Sequence, residues 1–409
     1  MDYSFLLWIA IILVSTKILG LASQKINMPQ VVGALLAGVI LGPSVLNVIS
    51  NTGDAASFIN QMAEIGVILL MFQAGLGTDF SELKKTGVAS LVIALIGVVV
   101  PMAGGAITYC AFFGFEQLAT DSTYLLEVIF VGVVLMATSV SITVETLKEM
   151  GKLNGRMGTA ILGAAIIDDI IGIIVLTLIT SLKDPTVNPT SSIIKILLFF
   201  IFIVVIAVLT KLLTTKVFKQ IKNKHRVAIF SLAFAFALSF CAEHFFGVAD
   251  ITGAYFAGLI LCNESPKEYI DDKVNVTSYM IFGPIFFASI GIKTDLSNGM
   301  DMNIVWFSLA LLVVAVLSKI IGCGLGAKIC KFNNKEALAI GIGMVSRGEV
   351  ALIVADKGTQ AGIIDVSLYP AIVLVVIVTT IITPILLKVV LSDKNKKKNS
   401  KDNLTPVVS

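Results

Sequence analysis

The sequence predicts an all-α membrane protein of thirteen transmembrane helices, arranged as an inverted repeat with two broken helices, its amino terminus outside and its carboxyl terminus cytoplasmic. Three observations carry this expectation. Of 409 residues, 56% are apolar and only 14% charged, against roughly 25% charged in an ordinary soluble domain, which excludes a soluble globular protein. Apolar runs of about 20 residues, the length of helix that crosses ~30 Å of hydrocarbon, occur thirteen times. The basic residues also alternate from loop to loop as the positive-inside rule requires.

The runs cover 3–22, 30–48, 58–77, 86–112, 124–147, 156–182, 192–215, 227–246, 249–262, 277–293, 304–328, 335–358 and 366–391, here spans 1 to 13. No Lys or Arg precedes span 1 and no small-residue cleavage site follows it, so it reads as a retained span and not a targeting peptide. With a cytoplasmic tail, the inner side carries 22 of the 30 Lys and Arg, and the outer loops hold only Lys183, Lys293 and Lys357. Lys17, Lys195, Lys211, Lys319 and Arg347 fall within or at the ends of spans. Residues 392–409, with Lys394, Lys396, Lys397, Lys398 and Lys401, form a short basic tail too polar and too short to fold alone; no regulatory domain is expected.

Spans 2, 3 and 6 each have a counterpart 210 to 220 residues later. Gly33-Ala34 to Ile40-Leu41 in span 2 matches Gly253-Ala254 to Ile260-Leu261 in span 9. Ala74 to Gly77, followed by Thr78-Asp79, matches Ala288 to Gly291, followed by Thr294-Asp295. Asp168-Asp169 in span 6 faces Thr379-Thr380 in span 13. Corresponding spans differ by seven, an odd number, so the halves lie oppositely in the membrane. The expected organisation is a first repeat at 1–182, a connector containing span 7 at 183–225, a second repeat at 226–391 and the tail. Transporters built this way bind substrate near the midplane, beside helices broken part-way across.

Ionisable residues at the centre of a span cost roughly 2.5 to 3.5 kcal/mol on insertion scales, so each needs a reason. Asp168 and Asp169 (span 6), Lys319 (span 11), and Arg347 and Glu349 (span 12) all lie at that depth. Adjacent carboxylates suit a hard cation, because oxygen ligands replace its water and negative charge offsets desolvation. Close carboxylates in a low dielectric also titrate as a coupled pair, so a proton and a metal cation compete for the same oxygens. Neighbouring side chains on a helix diverge by about 100°, which gives the two aspartates different partners.

Lys319 has two readings: a structural ion-pair partner of one aspartate, or a group that surrenders its proton when a cation binds. Gly322, Gly324 and Gly326 after it permit close approach of another helix. The string GCGLGAK lies inside an apolar span with no preceding strand and is not a phosphate loop. Ala137 to Ser141 in span 5, with Thr138 and Ser139, and Val345 to Glu349 in span 12 are the expected breaks, their hydroxyls and Gly348 satisfying an unwound turn. Thr138 and Ser139 join Asp168 and Asp169 as candidate cation and proton ligands, while Arg347 and Glu349 compensate helix ends or each other. Lys17, Glu64, Glu145, Glu243, His225 and His244 are weaker candidates. The net charge of +3 and the absence of a basic patch interleaved with aromatics exclude a nucleic-acid partner. The five cysteines, Cys110, Cys241, Cys262, Cys323 and Cys330, lack metal or disulfide spacing.

Five segments together carry a family resemblance: Pro29 to Ser44, Glu64 to Leu76, Ala137 to Ser141, Ile166 to Gly172 and Ser346 to Ile353. Over roughly residues 5 to 390 the chain resembles the monovalent cation:proton antiporter-2 family of bacterial sodium/proton exchangers, including spore-germination antiporters. The resemblance implies an antiporter fold in the bacterial plasma membrane and a homodimer with a dimerisation domain and a moving core. It also implies Asp169 as main cation ligand, Asp168 as the partner of Lys319, and no cofactor. Potassium-releasing members usually have Gln-Asp at 168–169 and many append a nucleotide-binding domain; both departures favour sodium, with lithium and potassium as alternatives. Ala34 stands where an acidic residue is common. A cation channel and a membrane sensor are the competing classes. A channel would move no protons in the opposite direction, and a sensor needs an output domain that the 18-residue tail does not supply.

Overall fold

The computed structural model describes residues 3–26, 28–50, 52–119, 121–183, 189–217, 224–263, 266–293, 302–360 and 362–391. The secondary structure among the described residues is helical: α1 Ser4–Lys25, α2 Gln30–Leu41, α3 Gly53–Gly77, α4 Phe80–Phe113, α5 Ser122–Met136, α6 Val140–Glu149, α7 Arg156–Lys183, α8 Pro189–Val217, α9 Lys224–Phe246, α10 Asp250–Leu261, α11 Lys267–Thr277, α12 Gly283–Ile292, α13 Met302–Ile329, α14 Asn334–Gly343, α15 Glu349–Gln360 and α16 Tyr369–Leu391. Taking α5 with α6 and α11 with α12 as continuous segments, ten helices among the described residues are long and apolar enough to cross a membrane. The apolar α2 and α10 are 12 residues each. The tail and the lysines at 219 and 222 lie outside the described residues.

Local chemistry sets the helix ends. Span 2 is shorter than its apolar run: α2 stops at Leu41 because Pro43 disfavours helical backbone in the preceding Gly42, and the chain turns back over 42–50. Asp79 starts α4 by accepting bonds from the backbone N–H groups of Ser81 and Glu82. Span 10 is longer than its apolar run, since the polar α11 leads through a π-helical turn, Ser278–Phe282, into α12. Asn333 and Glu336 form a reciprocal capping box at the start of α14.

Packing divides the helices into two groups joined through α8 and α6. In one, α1, α2, α3 and α9 to α12 pack together; in the other, α4 to α7 pack with α13 to α16. Large apolar side chains such as Leu197, Ile201 and Val208 on α8 face outward, as a lipid-contacting helix requires.

Closest approaches recur in matched pairs. A Cβ on Gly38 would lie 2.0 Å from the carbonyl oxygen of Ala288, and one on Gly258 would lie 2.1 Å from that of Phe72. Likewise Gly33 abuts the Leu19 carbonyl at 2.3 Å and Gly253 the Leu238 carbonyl at 2.5 Å. Contacts α2–α12 and α3–α10 are thus two copies of one packing. They also correct the register read from sequence: Gly75, against Tyr255 at 2.1 Å, is the counterpart of Gly291, against Leu35 at 2.5 Å, in place of Gly77. Small residues recur every few positions in these helices, so a two-residue slip leaves the pattern looking alike.

Candidate functional site

Spans 5 and 12 are interrupted where their hydroxyl-rich sequences fall. The α5 helix ends at Met136 and α6 resumes at Val140, while α14 ends at Gly343 and α15 starts at Glu349. Lost ladder bonds are replaced across the two breaks. The Ser139 N–H donates to the Ser346 carbonyl at 2.8 Å, and the Thr143 hydroxyl donates to the Gly343 carbonyl at 2.6 Å. Gly348 permits this approach, since a Cβ there would lie 2.5 Å from Ser139 Oγ. Unwound backbone at membrane depth persists only where other protein groups satisfy it.

The threonine pair of α16 clamps the second break. Thr379 Oγ1 accepts from the Arg347 N–H at 3.3 Å, and the Thr380 hydroxyl donates to the Arg347 carbonyl. Arg347 itself is 1% exposed. Its guanidinium donates to the carbonyls of Met344 at 3.3 Å and Ala315 at 3.5 Å, so the cation sits at the carboxyl end of α14, where the helix dipole is negative. Glu349 opens α15, the end where a carboxylate is favoured; its side chain lies outside the described atoms.

The α7 helix carries the acidic pair. Lys319 of α13 donates to both oxygens of Asp168, at 3.1 and 3.3 Å. Both residues are sequestered, Lys319 at 0% exposure and Asp168 at 3%. Close contact of α13 with α4 positions the lysine: a Cβ on Gly322 would lie 3.0 Å from the Ile96 carbonyl, and one on Gly326 2.9 Å from Ile93 Cα. Asp169, 9% exposed, lines a small cavity with Val140, the first residue of α6, and with Thr252 and Tyr255 of α10. Thr138 and Ser139 are buried beside the first break; Ser139 Oγ lies 3.2 Å from Ser141 Oγ and Thr138 Oγ1 3.4 Å from the Met136 carbonyl.

Sequence reasoning did not identify Thr252 or Tyr255, nor the roles of Thr379 and Thr380 as clamps, for which the offset match to Asp168-Asp169 was the available signal. It also missed a cavity of about 270 Å³ lined by Lys17, Gln30, Glu145, Glu149, Asn275 and Tyr279. Lys148, also in its lining, donates to Gln73 Oε1 at 2.9 Å and Asn275 Oδ1 at 2.8 Å. Lys17 donates to the Tyr279 hydroxyl and does not reach the acidic pair. His225 lies 2.6 Å from the Tyr269 hydroxyl, away from it as well.

The sequence profile of one family, described as sodium/hydrogen exchanger, transmembrane, matches residues 10–393. The chain is 40% identical over 384 residues to the Na(+)/H(+)-K(+) antiporter GerN of Bacillus cereus, covering 92% of this chain and 94% of that one. It is 36% identical over 375 residues to the Na(+)/H(+) antiporter of Enterococcus hirae, covering 90% and 93%. The structure of the sodium proton antiporter MjNhaP1 from Methanocaldococcus jannaschii superposes with a TM-score of 0.63 at 17% identity, covering 94% of this chain and 96% of that one; at that identity the likeness speaks for the fold.

Proposed function

Because the chain belongs to the sodium/hydrogen exchanger family, we infer that it is a secondary active antiporter, exchanging intracellular sodium for external protons across the bacterial plasma membrane by alternating access. The observation that carries the reading is the Asp168–Lys319 pair at 3.1 Å, with Asp169 beside it, next to two facing helix breaks. An isolated carboxylate is costly at this depth, whereas one that holds either a proton or a cation has a reason to be there.

In this reading sodium is held by the carboxylates of Asp168 and Asp169, with neutral oxygens from Thr138 and Ser139. Its charge competes with Lys319 for Asp168 and with a proton for Asp169. Arg347 and Glu349 compensate the ends of the broken helix and touch no ion. The chain crosses the membrane thirteen times, with the amino terminus outside, as the lysine distribution supports. The two repeats, 1–182 and 226–391, are inverted copies, supported by the matched glycine contacts of α2–α12 and α3–α10. The two helix groups move relative to one another, and two copies of the chain form a dimer.

The name of the Bacillus relative includes potassium as well as sodium, so the ion is the first thing to test. Purified protein in liposomes with an internal pH dye, challenged in turn with sodium, lithium and potassium, should show proton flux opposing sodium. Cation entry without opposing proton movement would replace the antiporter with a channel.

A further inference from the structure

The α6 helix, ten residues and about 15 Å long, touches both helix groups: α7 and α16 on its own side, α2 and α3 on the other. Its last two residues carry charge, and both bond across. Lys148 donates to Gln73 Oε1 of α3 at 2.9 Å and to Asn275 Oδ1 of α11 at 2.8 Å. Gln73, 4% exposed, in turn donates to the backbone carbonyl and the Oδ1 of Asp271 on α11, both at 3.3 Å. Glu149 Oε2 accepts from the backbone N–H of Gln30, the first residue of α2, at 3.0 Å. Three hydrogen bonds thus cross from the end of α6 to α2, α3 and α11.

Two features set this crossing apart from ordinary helix contact. The first is that α2 has no cap of its own. Pro29 stands at the cap position and supplies no side-chain oxygen, where Ser, Thr, Asp or Asn would satisfy a free N–H permanently. The carboxylate comes instead from the other helix group, 119 positions along the chain, and it meets the positive end of the helix dipole. That cap exists only while the groups sit as they do here. The second feature is that the seam beside the bonds is not filled. The cavity of about 270 Å³ lies between Glu145, Lys148 and Glu149 of α6 and Leu13, Val31 and Phe287 of α1, α2 and α12, so close apolar packing does not hold α6 to those helices there.

We propose that Lys148 and Glu149 are positioning residues that latch the two helix groups together at their cytoplasmic end, and that the latch opens whenever the groups move. The other end of α6 lies at the helix break, where the Ser139 N–H bonds to the Ser346 carbonyl and Val140 lines the cavity of Asp169. One short helix therefore joins the ion site to the latch. Relative movement of the groups either breaks the three crossing bonds or pulls α6 away from Ser346. Ser139 and Ser346 are 1% and 0% exposed, and parting them would leave buried backbone groups bare. Glu149 is exposed and Lys148 partly so, so water replaces their bonds as they open. The latch is the end that releases. This assignment rests on the antiporter reading above.

Hydrogen–deuterium exchange of the full chain in detergent, followed by mass spectrometry, reads the latch at the first turn of α2. Glu149→Ala removes the acceptor directly and should speed exchange there about tenfold. Lys148→Met alters no contact with α2, yet it should speed the same exchange by a similar factor, because release from α3 and α11 frees Glu149 as well. The double variant should exchange no faster than Glu149→Ala, and Lys148→Arg, which keeps the donors, should stay near the parent. In liposomes, Lys148→Met should raise maximal sodium/proton flux about threefold, since leaving this conformation then costs less. Parent-like exchange in Lys148→Met overturns the proposal, for the two residues then make separate local bonds. So does faster exchange with flux unchanged or lowered, which leaves both residues structural. A Lys148→Met protein that cannot be recovered folded overturns it too, because an open latch must be a state of the working protein. Unmodified protein without cation-driven proton flux sinks the antiporter reading, and the exchange pattern still decides whether the latch exists.

Discussion

Lys319 and Asp168 are each tolerable only because of the other. Removing one partner of a buried ion pair costs about 3–5 kcal/mol, since the remaining charge is uncompensated, whereas removing both can be nearly neutral. Asp168→Asn alone should therefore lower thermal stability in detergent by about that amount, and the double variant Asp168→Asn/Lys319→Gln should recover most of the loss. Additive losses in such a cycle would show that the pair is not coupled. Asp169→Asn should behave differently: folded and extractable in amounts like the parent, yet without sodium-driven proton flux, because an amide cannot carry the proton. Near-normal flux in that variant would remove Asp169 from the site. These charged residues were legible in the sequence because a charge at mid-span is expensive and so stands out.

At the scale of elements, helix approach is set by backbone meeting backbone. Gly38→Ala would put a methyl group 2.0 Å from the Ala288 carbonyl, and α2 and α12 cannot both keep their places around it. Folded protein extracted from membranes should fall sharply, as followed by size-exclusion of a fluorescent fusion. Gly87→Ala serves as the control: nothing lies within 4 Å of that position, and alanine is favoured over glycine in a helix by about 1 kcal/mol. Equal yields of the two variants would show that the α2–α12 contact can relax. The broken helices were partly legible, because Thr138-Ser139 and Ser346 to Gly348 put hydroxyls and a glycine inside apolar runs. Their joining by Ser139 N–H to the Ser346 carbonyl and their clamping by Thr380 were not, for those bonds link residues some 30 to 200 positions apart. The end of α2 at Leu41 and the π turn before α12 were missed because an apolar run marks what is buried in lipid, not where backbone hydrogen bonding changes.

Across the whole molecule, the alternation of lysines and the odd spacing of the repeats point to opposed halves. Asp169 lines a small cavity whose other wall belongs to α3 and α10. If sodium and protons seek the same carboxylates, raising proton concentration between about pH 8.5 and 6 should raise the half-saturation concentration for sodium; one that ignores pH would argue for separate sites. Charge counting gives an expected coupling if the proposed site holds. Sodium would displace one proton from Asp169 and, by occupying Asp168, would leave Lys319 without its counter-charge, so that a second proton would leave. The return step would carry both protons inward, and each cycle would move one net charge. A membrane potential should bias such a cycle by roughly 2.3 kcal/mol per 100 mV. In liposomes with a potassium–valinomycin potential, sodium/proton flux should follow the imposed voltage. The Lys319→Gln protein, exchanging one for one, should ignore that voltage, provided its site still folds. Unmodified protein whose flux is indifferent to voltage would exclude the second proton and leave Lys319 as a structural partner of Asp168.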